Sequence, residues 1–239
     1  MARTGLNMEN PIHSNGGGVQ LPSPYYKDEY ATLYVGDCRD ILKSLDVSNG
    51  FCFADPPYNV GKDYGVWNDS LTEQEYLSFC NEWITSVKRL CPTICIYPPT
   101  KYIREYWNML GPGFKQVILT WTAEGAIRGG FVNQFACLLT NSKPVMRTKD
   151  HWPGLQVPGL GYFFTEEKYG HPGYTSEEVT RRVIHHLAPE GAMIVDPFCG
   201  TGTTLRCAKN ARRPAIGIEL NPEYAKTTVS RLAQEVFKI

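Results

Sequence analysis

Phe51-Cys52-Phe53-Ala54-Asp55-Pro56-Pro57-Tyr58 is the stretch on which the reading of this chain turns. Its first four residues form an apolar run that reads as a short strand. The run opens directly onto a carboxylate, two rigid prolines and an aromatic ring. Ligands of an open α/β sheet bind just outside the carboxyl ends of its strands. The prolines fix φ and offer no backbone N–H, while their carbonyls still accept. The corner therefore sets acceptors beside a flat ring, an arrangement suited to a planar group that carries an amine.

A second strand end lies far downstream. Asp196-Pro197-Phe198-Cys199-Gly200-Thr201-Gly202-Thr203-Thr204 joins a strand pattern to a helix pattern. Glycines at such a turn let the backbone approach a ligand, and the helix start presents free N–H groups. Glu219 ends the following strand, 23 residues after Asp196. An acid at about that spacing holds a ribose in nucleotide-binding α/β folds. The loop lacks the third glycine of a dinucleotide fingerprint and the Gly-Lys-Ser/Thr of a phosphate loop. It suits a nucleoside cofactor with a small anionic or zwitterionic tail, and ATP hydrolysis is not expected. On its own a Gly-x-Gly turn is common, and Asp-Pro-Pro-Tyr can be a rigid bend. Their joint placement at strand ends carries the functional reading.

Around these two corners the pattern alternates. Strands are expected over 31–35, 51–54, 93–97, 115–122, 134–140, 192–195 and 214–218. Helices are expected over 40–45, 101–110, 176–187 and 203–210, with a long one capped by Thr72 and a last one capped by Asn221 with Pro222 at its first position. Glu75 completes a capping box with Thr72, and Leu71 is placed to staple onto Tyr76. His185-His186, late in a helix, complement its dipole. Such alternation predicts an α/β fold with a three-layer, mostly parallel sheet. Residues 59–70, rich in Gly and Asn, read as a mobile loop.

The chain has 239 residues, enough for one α/β domain, here 30–239, behind a flexible arm over 1–29. The arm is polar, carries Gly16-Gly17-Gly18, and lacks the apolar core of a secretory signal. No apolar run is long enough for a membrane span. Twenty-four basic residues balance 24 acidic ones, so any nucleic-acid contact must rest on a local basic patch. Eight cysteines, at 38, 52, 80, 91, 95, 137, 199 and 207, sit in mostly apolar surroundings, as reduced thiols of a cytoplasmic protein do. Cys91 and Cys95 have no His or Cys beside them to complete a site, so no metal is expected.

Asp55-Pro56-Pro57-Tyr58 together with Asp196-Pro197-Phe198-Cys199-Gly200-Thr201-Gly202-Thr203 resembles the amino-methylating DNA methyltransferases, which use S-adenosylmethionine. The target-amine motif precedes the cofactor loop, as in the permuted beta group of that family with its Rossmann-like domain. Gly36-Asp37-Cys38 resembles the segment that touches the cofactor's adenine. Gly217-Ile218-Glu219-Leu220-Asn221, with Tyr224 and Arg231-Leu232, resembles the ribose-binding strand and its helix. His171-Pro172 resembles the segment ahead of the cofactor loop, although Thr175-Ser176 stands where the family has Lys-Pro. The resemblance spans about residues 30 to 237; 123–170 matches no motif and would be the target-recognition insertion.

The resemblance implies N6 methylation of adenine in double-stranded DNA, with the base flipped out. It makes Asp55, Pro56, Pro57 and Tyr58 catalytic. It makes Asp37, Cys38, Asp196, Phe198, Cys199, Gly200, Thr201, Gly202, Thr203, Thr204, Glu219, Leu220 and Asn221 cofactor-binding. Asp55 and the Pro56 carbonyl would each accept an amine hydrogen, and Tyr58 would stack on the base. A carboxylate is too weak a base to deprotonate the amine first, so attack precedes proton loss. Asp at position 55 tilts the target to adenine by family habit. Cytosine N4, an RNA substrate, or a silent nucleic-acid-binding module remain as alternatives. Glutamine-directed relatives carry Asn at that first position and the cofactor loop upstream. Arg128, Asn133 and Gln134 form one candidate base-reading cluster; Lys143, Arg147, Lys149, His151 and Trp152 form another. Restriction–modification is the implied setting, and a homodimer is compatible with it.

Overall fold

The strands that carry the two corners are short, apolar and shielded on both faces, the signature of central parallel strands. The computed structural model describes residues 21–120, 135–144, 151–152 and 175–234. In chain order its elements begin with β1 (Tyr26–Lys27), β2 (Ala31–Val35), α1 (Cys38–Ser44) and β3 (Gly50–Ala54). Then come α2 (Glu73–Leu90), β4 (Thr93–Ile96), a 3-10 turn (Thr100–Tyr102), α3 (Ile103–Leu110) and β5 (Lys115–Thr120). They continue with β6 (Phe135–Thr140), β7 (His151–Trp152), α4 (Glu177–Leu187), β8 (Met193–Asp196), α5 (Thr203–Asn210), β9 (Ala215–Glu219) and α6 (Pro222–Ala233).

The nine strands among the described residues form one sheet in the order β1-β2-β9-β8-β3-β4-β6-β5-β7. The five from β2 to β4 run parallel, with Val35 opposite Glu219, Asp196 opposite Gly217, Cys52 opposite Val195 and Ala54 opposite Ile96. β6 reverses direction between β4 and β5, and β1 pairs antiparallel at the other side. The sheet is thus mixed but parallel wherever it carries a candidate site residue. Alternate strand residues feed two separate cores, which makes three layers. Leu33, Phe51, Phe53 and Ile194 pack with Val183, Leu205 and Ala225 of α4, α5 and α6. Tyr34, Cys52, Ala54 and Val195 pack with Leu42, Trp83 and Tyr106 of α1, α2 and α3.

Local chemistry explains most boundaries. The expected capping box is present: Thr72 Oγ1 accepts from the Glu75 N–H, and Glu75 accepts from the Thr72 N–H. Asn221 caps α6 by accepting from the Glu223 N–H. α1 starts earlier than expected, at Cys38, because the Asp37 side chain accepts from the Arg39 N–H and serves as its cap. Residues 26 and 27, expected to belong to the arm, are part of the sheet, and residues 1–20 lie outside the described residues. Tyr26 and Lys27 pair with Leu33 and Thr32, and Tyr26 is buried. Among the described residues no helix is long and apolar enough to cross a membrane.

Candidate functional site

β8 and β3 are neighbours, yet the chain leaves them in opposite directions, β8 toward β9 and β3 toward β4. That reversal is the switch point at which an α/β sheet opens a crevice. Five adjacent strand ends meet there: β2 leads to Asp37, β9 ends in Glu219, β8 ends in Asp196, β3 leads to Asp55, and β4 leads to Tyr97. Residues scattered from 37 to 219 in sequence thus share one edge.

The corner after β3 is fixed from several sides. Tyr76 Oη on α2 donates to the Pro57 carbonyl at 2.8 Å. Tyr58 Oη donates to Asp55 Oδ1 at 2.8 Å, and Thr175 Oγ1 donates to Asp55 Oδ2. The Tyr58 ring meets Tyr97 edge-on at 6.5 Å. Burial pushes the Asp55 carboxyl up, and the hydrogen bonds from Thr175 and Tyr58 and the charge of Lys62 only partly offset it. Tyr58, expected as a stacking ring, is therefore also a hydrogen-bond donor to its own motif.

The loop over 59–70, expected to be mobile, is built around a buried carboxylate. Asp69 is 2% exposed. Its oxygens accept the N–H groups of Asn59, Val60 and Lys62 at 2.8, 3.0 and 3.1 Å. Asn59, in the left-handed region at φ 55°, donates to the Leu71 carbonyl and accepts the Leu71 N–H, closing the loop at its base. Asn221 Nδ2 donates to the Tyr64 carbonyl at 2.9 Å, so the loop spans from the β3 corner to the β9 end. Burial, together with the charges of Asp69, Asp55 and Glu219, raises the Tyr64 phenol well above its ordinary value. The sequence reading missed Asp69; its only signal is an acid at the far end of a turn-rich loop.

The glycine loop is held equally firmly. Gly202 lies at φ 82°, and a Cβ there would come 2.5 Å from Thr228 Cγ2. Thr228 Oγ1 in turn donates to the Gly200 carbonyl. Glu219 takes the Gly200 N–H on Oε2 and the Asn221 N–H on Oε1, both at 2.8 Å. Arg231, 2% exposed, donates from Nη1 to the Thr201 carbonyl at 2.5 Å and from Nη2 to Glu177 at 3.1 Å. Its role as an underpinning of the loop is visible only in three dimensions. Asp196 accepts from the Phe198 N–H at 3.0 Å and from the Thr204 side chain. Burial, with added repulsion from Asp55 and Glu219, pushes Asp196 up to about 7; burial alone pushes Glu219 up to about 7.

The remaining expected residues divide by where their side chains go. Phe198 is half-buried and packs edge-on against Trp83 and Phe79 of α2. Cys199 and Cys38 point into the two cores, so only their backbones can face a ligand. Thr201 and Thr203 hydroxyls lie within 3.3 Å of Arg231 beneath the loop. Leu220 is half-exposed at the rim. Burial pushes Asp37 up, but its hydrogen bonds from Arg39 outweigh that and hold it below the carboxylate range. Lys143 is exposed. Arg128, Asn133, Gln134, Arg147, Lys149 and His171 lie outside the described residues, as do the side chains of His151 and Trp152. All eight cysteines are free thiols. Among the described residues no group of three His, Cys, Asp or Glu side chains is arranged to hold a metal.

Comparison with known proteins agrees with this fold. The family model N6_N4_Mtase, described as DNA methylase, matches residues 50–121 and 140–230. The Type II methyltransferase M.HpaI of Haemophilus parainfluenzae is 26% identical over 231 residues, covering 83% of this chain and 74% of that protein. The crystal structure of the M1.HpyAVI–SAM complex superposes with a TM-score of 0.64 at 23% identity, over 85% of this chain and 100% of that one. The cytosine-N4-specific PvuII DNA methyltransferase superposes with a TM-score of 0.65 at 16% identity, over 92% and 90%.

Proposed function

The chain belongs to the N6_N4_Mtase family of DNA methylases, and on that premise we propose that it moves a methyl group from S-adenosylmethionine to the N6 amine of adenine in DNA. One observation carries the reading. A half-buried acceptor corner and a glycine loop sit on adjacent parallel strands at the switch point, close enough for the Asp55 and Asp196 charges to act on each other.

The donor set fits the cofactor. Asp55, Asp196 and Glu219 gather three carboxyl groups in one crevice, which suits a ligand whose sulfonium and ammonium groups favour their ionised forms. Gly200 and Gly202 leave the loop without Cβ atoms beside it. In the proposed reaction Glu219 takes the ribose, the loop backbone takes the amino-acid tail, and the segment at Asp37 and Cys38 takes the adenine. When bound, the cofactor supplies an electrophilic methyl group.

The protein's own part is reception and positioning of the amine. An aromatic amine is a weak nucleophile because its lone pair is delocalised into the ring. Asp55 and the Pro56 carbonyl each accept one amine hydrogen and turn the lone pair out of the ring. Asp55 is too weak a base to deprotonate the amine beforehand, so it receives a proton only as positive charge develops on nitrogen. Tyr58 and Tyr97 wall the base. A duplex hides this amine, so the base is flipped out at a cost of a few kcal/mol. The ordered loop at 59–70 is placed to offset that cost. The buried free thiols fit a cytoplasmic location.

Asp at the head of the motif favours adenine by resemblance. The PvuII enzyme has the same fold and the cytosine N4 target, so the fold itself does not choose between the two bases. The test is direct. The protein is incubated with labelled S-adenosylmethionine and mixed-sequence DNA, and the digest is analysed by mass. N6-methyladenine is expected. N4-methylcytosine overturns the target, and label on RNA alone overturns the substrate.

A further inference from the structure

We propose that Thr175 is a positioning residue for Asp55, its hydroxyl holding the carboxylate in the plane that receives the target amine. The inference rests on the methyltransferase reading and deepens it.

The terminal torsion of an aspartate is broad and roughly two-fold, so one hydrogen bond does not fix the carboxylate plane. Asp55 has two anchors on different oxygens. Tyr58, from its own tetrapeptide, donates to Oδ1, and Thr175, 120 residues away in sequence, donates to Oδ2. Each carboxylate oxygen has about two acceptor sites. One site per oxygen is therefore left for an amine hydrogen while the plane stays fixed.

Thr175 is itself held in place. It immediately precedes α4, whose first turn is secured where Thr180 donates through its N–H and its hydroxyl to the Ser176 carbonyl, both at 3.0 Å. Two residues after Thr175, Glu177 accepts from Arg231, the same guanidinium that grips the Thr201 carbonyl of the glycine loop. One turn of chain thus touches the amine acceptor at Thr175 and, through Arg231, the cofactor loop. Among the described residues, the other ionisable groups facing Asp55 are Tyr58 on its own corner, Lys62 and Tyr64 from the loop, Tyr97 after β4 and Asp196 on β8. None of them changes when Thr175 is altered.

The experiment compares Thr175→Val, which removes only the hydroxyl, with Thr175→Ser, which keeps it. Methyl transfer from tritiated S-adenosylmethionine to unmethylated genomic DNA is measured across pH, and cofactor affinity by calorimetry. In Thr175→Val kcat is expected to fall by about tenfold to a hundredfold. Its acidic limb should move up by about one pH unit, because a donor to the charged form is lost. The KM for DNA and the cofactor Kd should stay within about twofold, since neither set of contacts changes. Thr175→Ser should keep both kcat and the limb. If Thr175→Val does not fold, Thr175→Ala against Thr175→Ser makes the same comparison. An unchanged or faster Thr175→Val, or equal losses in Val and Ser, overturns the positioning role alone. A wild-type protein that methylates no DNA overturns the functional reading and the role with it.

Discussion

Asp55 is under opposing pressures that its sequence context does not reveal. Burial favours its neutral form, and two hydroxyl donors favour the charged one. In the proposed reaction it must be charged and oriented, yet remain a poor base. Asp55→Asn keeps the shape and removes the charge. It is expected to lower methyl transfer by about 10²–10³-fold while calorimetry finds cofactor affinity little changed; near-normal turnover would exclude the mechanism. Asp196 and Glu219 make a second residue-scale prediction. Both carboxyls titrate at about 7 in the folded chain, against about 4 in an unfolded one. The native state therefore binds more protons than the unfolded state between those values, and stability falls as pH rises from about 4 to about 7. A cationic ligand favours the ionised carboxylates, so it should bind with release of protons. Calorimetry of S-adenosylmethionine binding near pH 6.5, in buffers of different ionisation enthalpy, should find net release and tighter binding toward about pH 8. Proton uptake would contradict the charge arrangement.

Two loops carry the proposed site at the element scale, and each is held by several polar side chains. Asp69 organises the loop at 59–70 through three backbone N–H groups. Asp69→Ala leaves those donors unsatisfied, at about 1–3 kcal/mol. Hydrogen exchange should speed at Asn59, Val60 and Lys62, and kcat should fall more than cofactor affinity; unchanged exchange would show that the loop stands without the carboxylate. The glycine loop depends on absent side chains. Gly202→Ala sets a methyl 2.5 Å from Thr228 Cγ2 at a φ of 82°, costing about 1–3 kcal/mol in crowding and strain. Cofactor affinity is expected to drop by about tenfold, read by the same calorimetry, and an unaffected Kd would remove the loop from the cofactor site. The helices and most strands were legible because their boundaries are local: Thr72 with Glu75, and Asn221 with Pro222, state their own caps. β1 and β7, two residues each, have no periodicity to read and exist because a neighbour pairs with them.

At the scale of the whole molecule, the parallel strands from β2 to β4 tie sequence-distant segments into one cooperative unit. Heating should give a single transition seen alike by circular dichroism and fluorescence. S-Adenosylmethionine at about a hundred times its Kd adds about 2.7 kcal/mol, which raises the midpoint by about 5–10 °C for a domain of this size. Two separate transitions, or no shift, would break the picture of a site built across the sheet. By itself the sequence determined the α/β class, the two corners and their order along the chain. Those are properties of short segments, fixed by hydrophobic period, turn residues and caps. Only the tertiary structure decided that Asp37, Asp55, Asp196 and Glu219 share one edge, because strand order depends on which apolar faces pack together and not on any local signal. It alone revealed Asp69, Thr175 and Arg231 as the groups that hold the two corners. Their partners lie 7 to 120 residues away, and a hydrogen bond across such a distance leaves no mark in the sequence on either side of it.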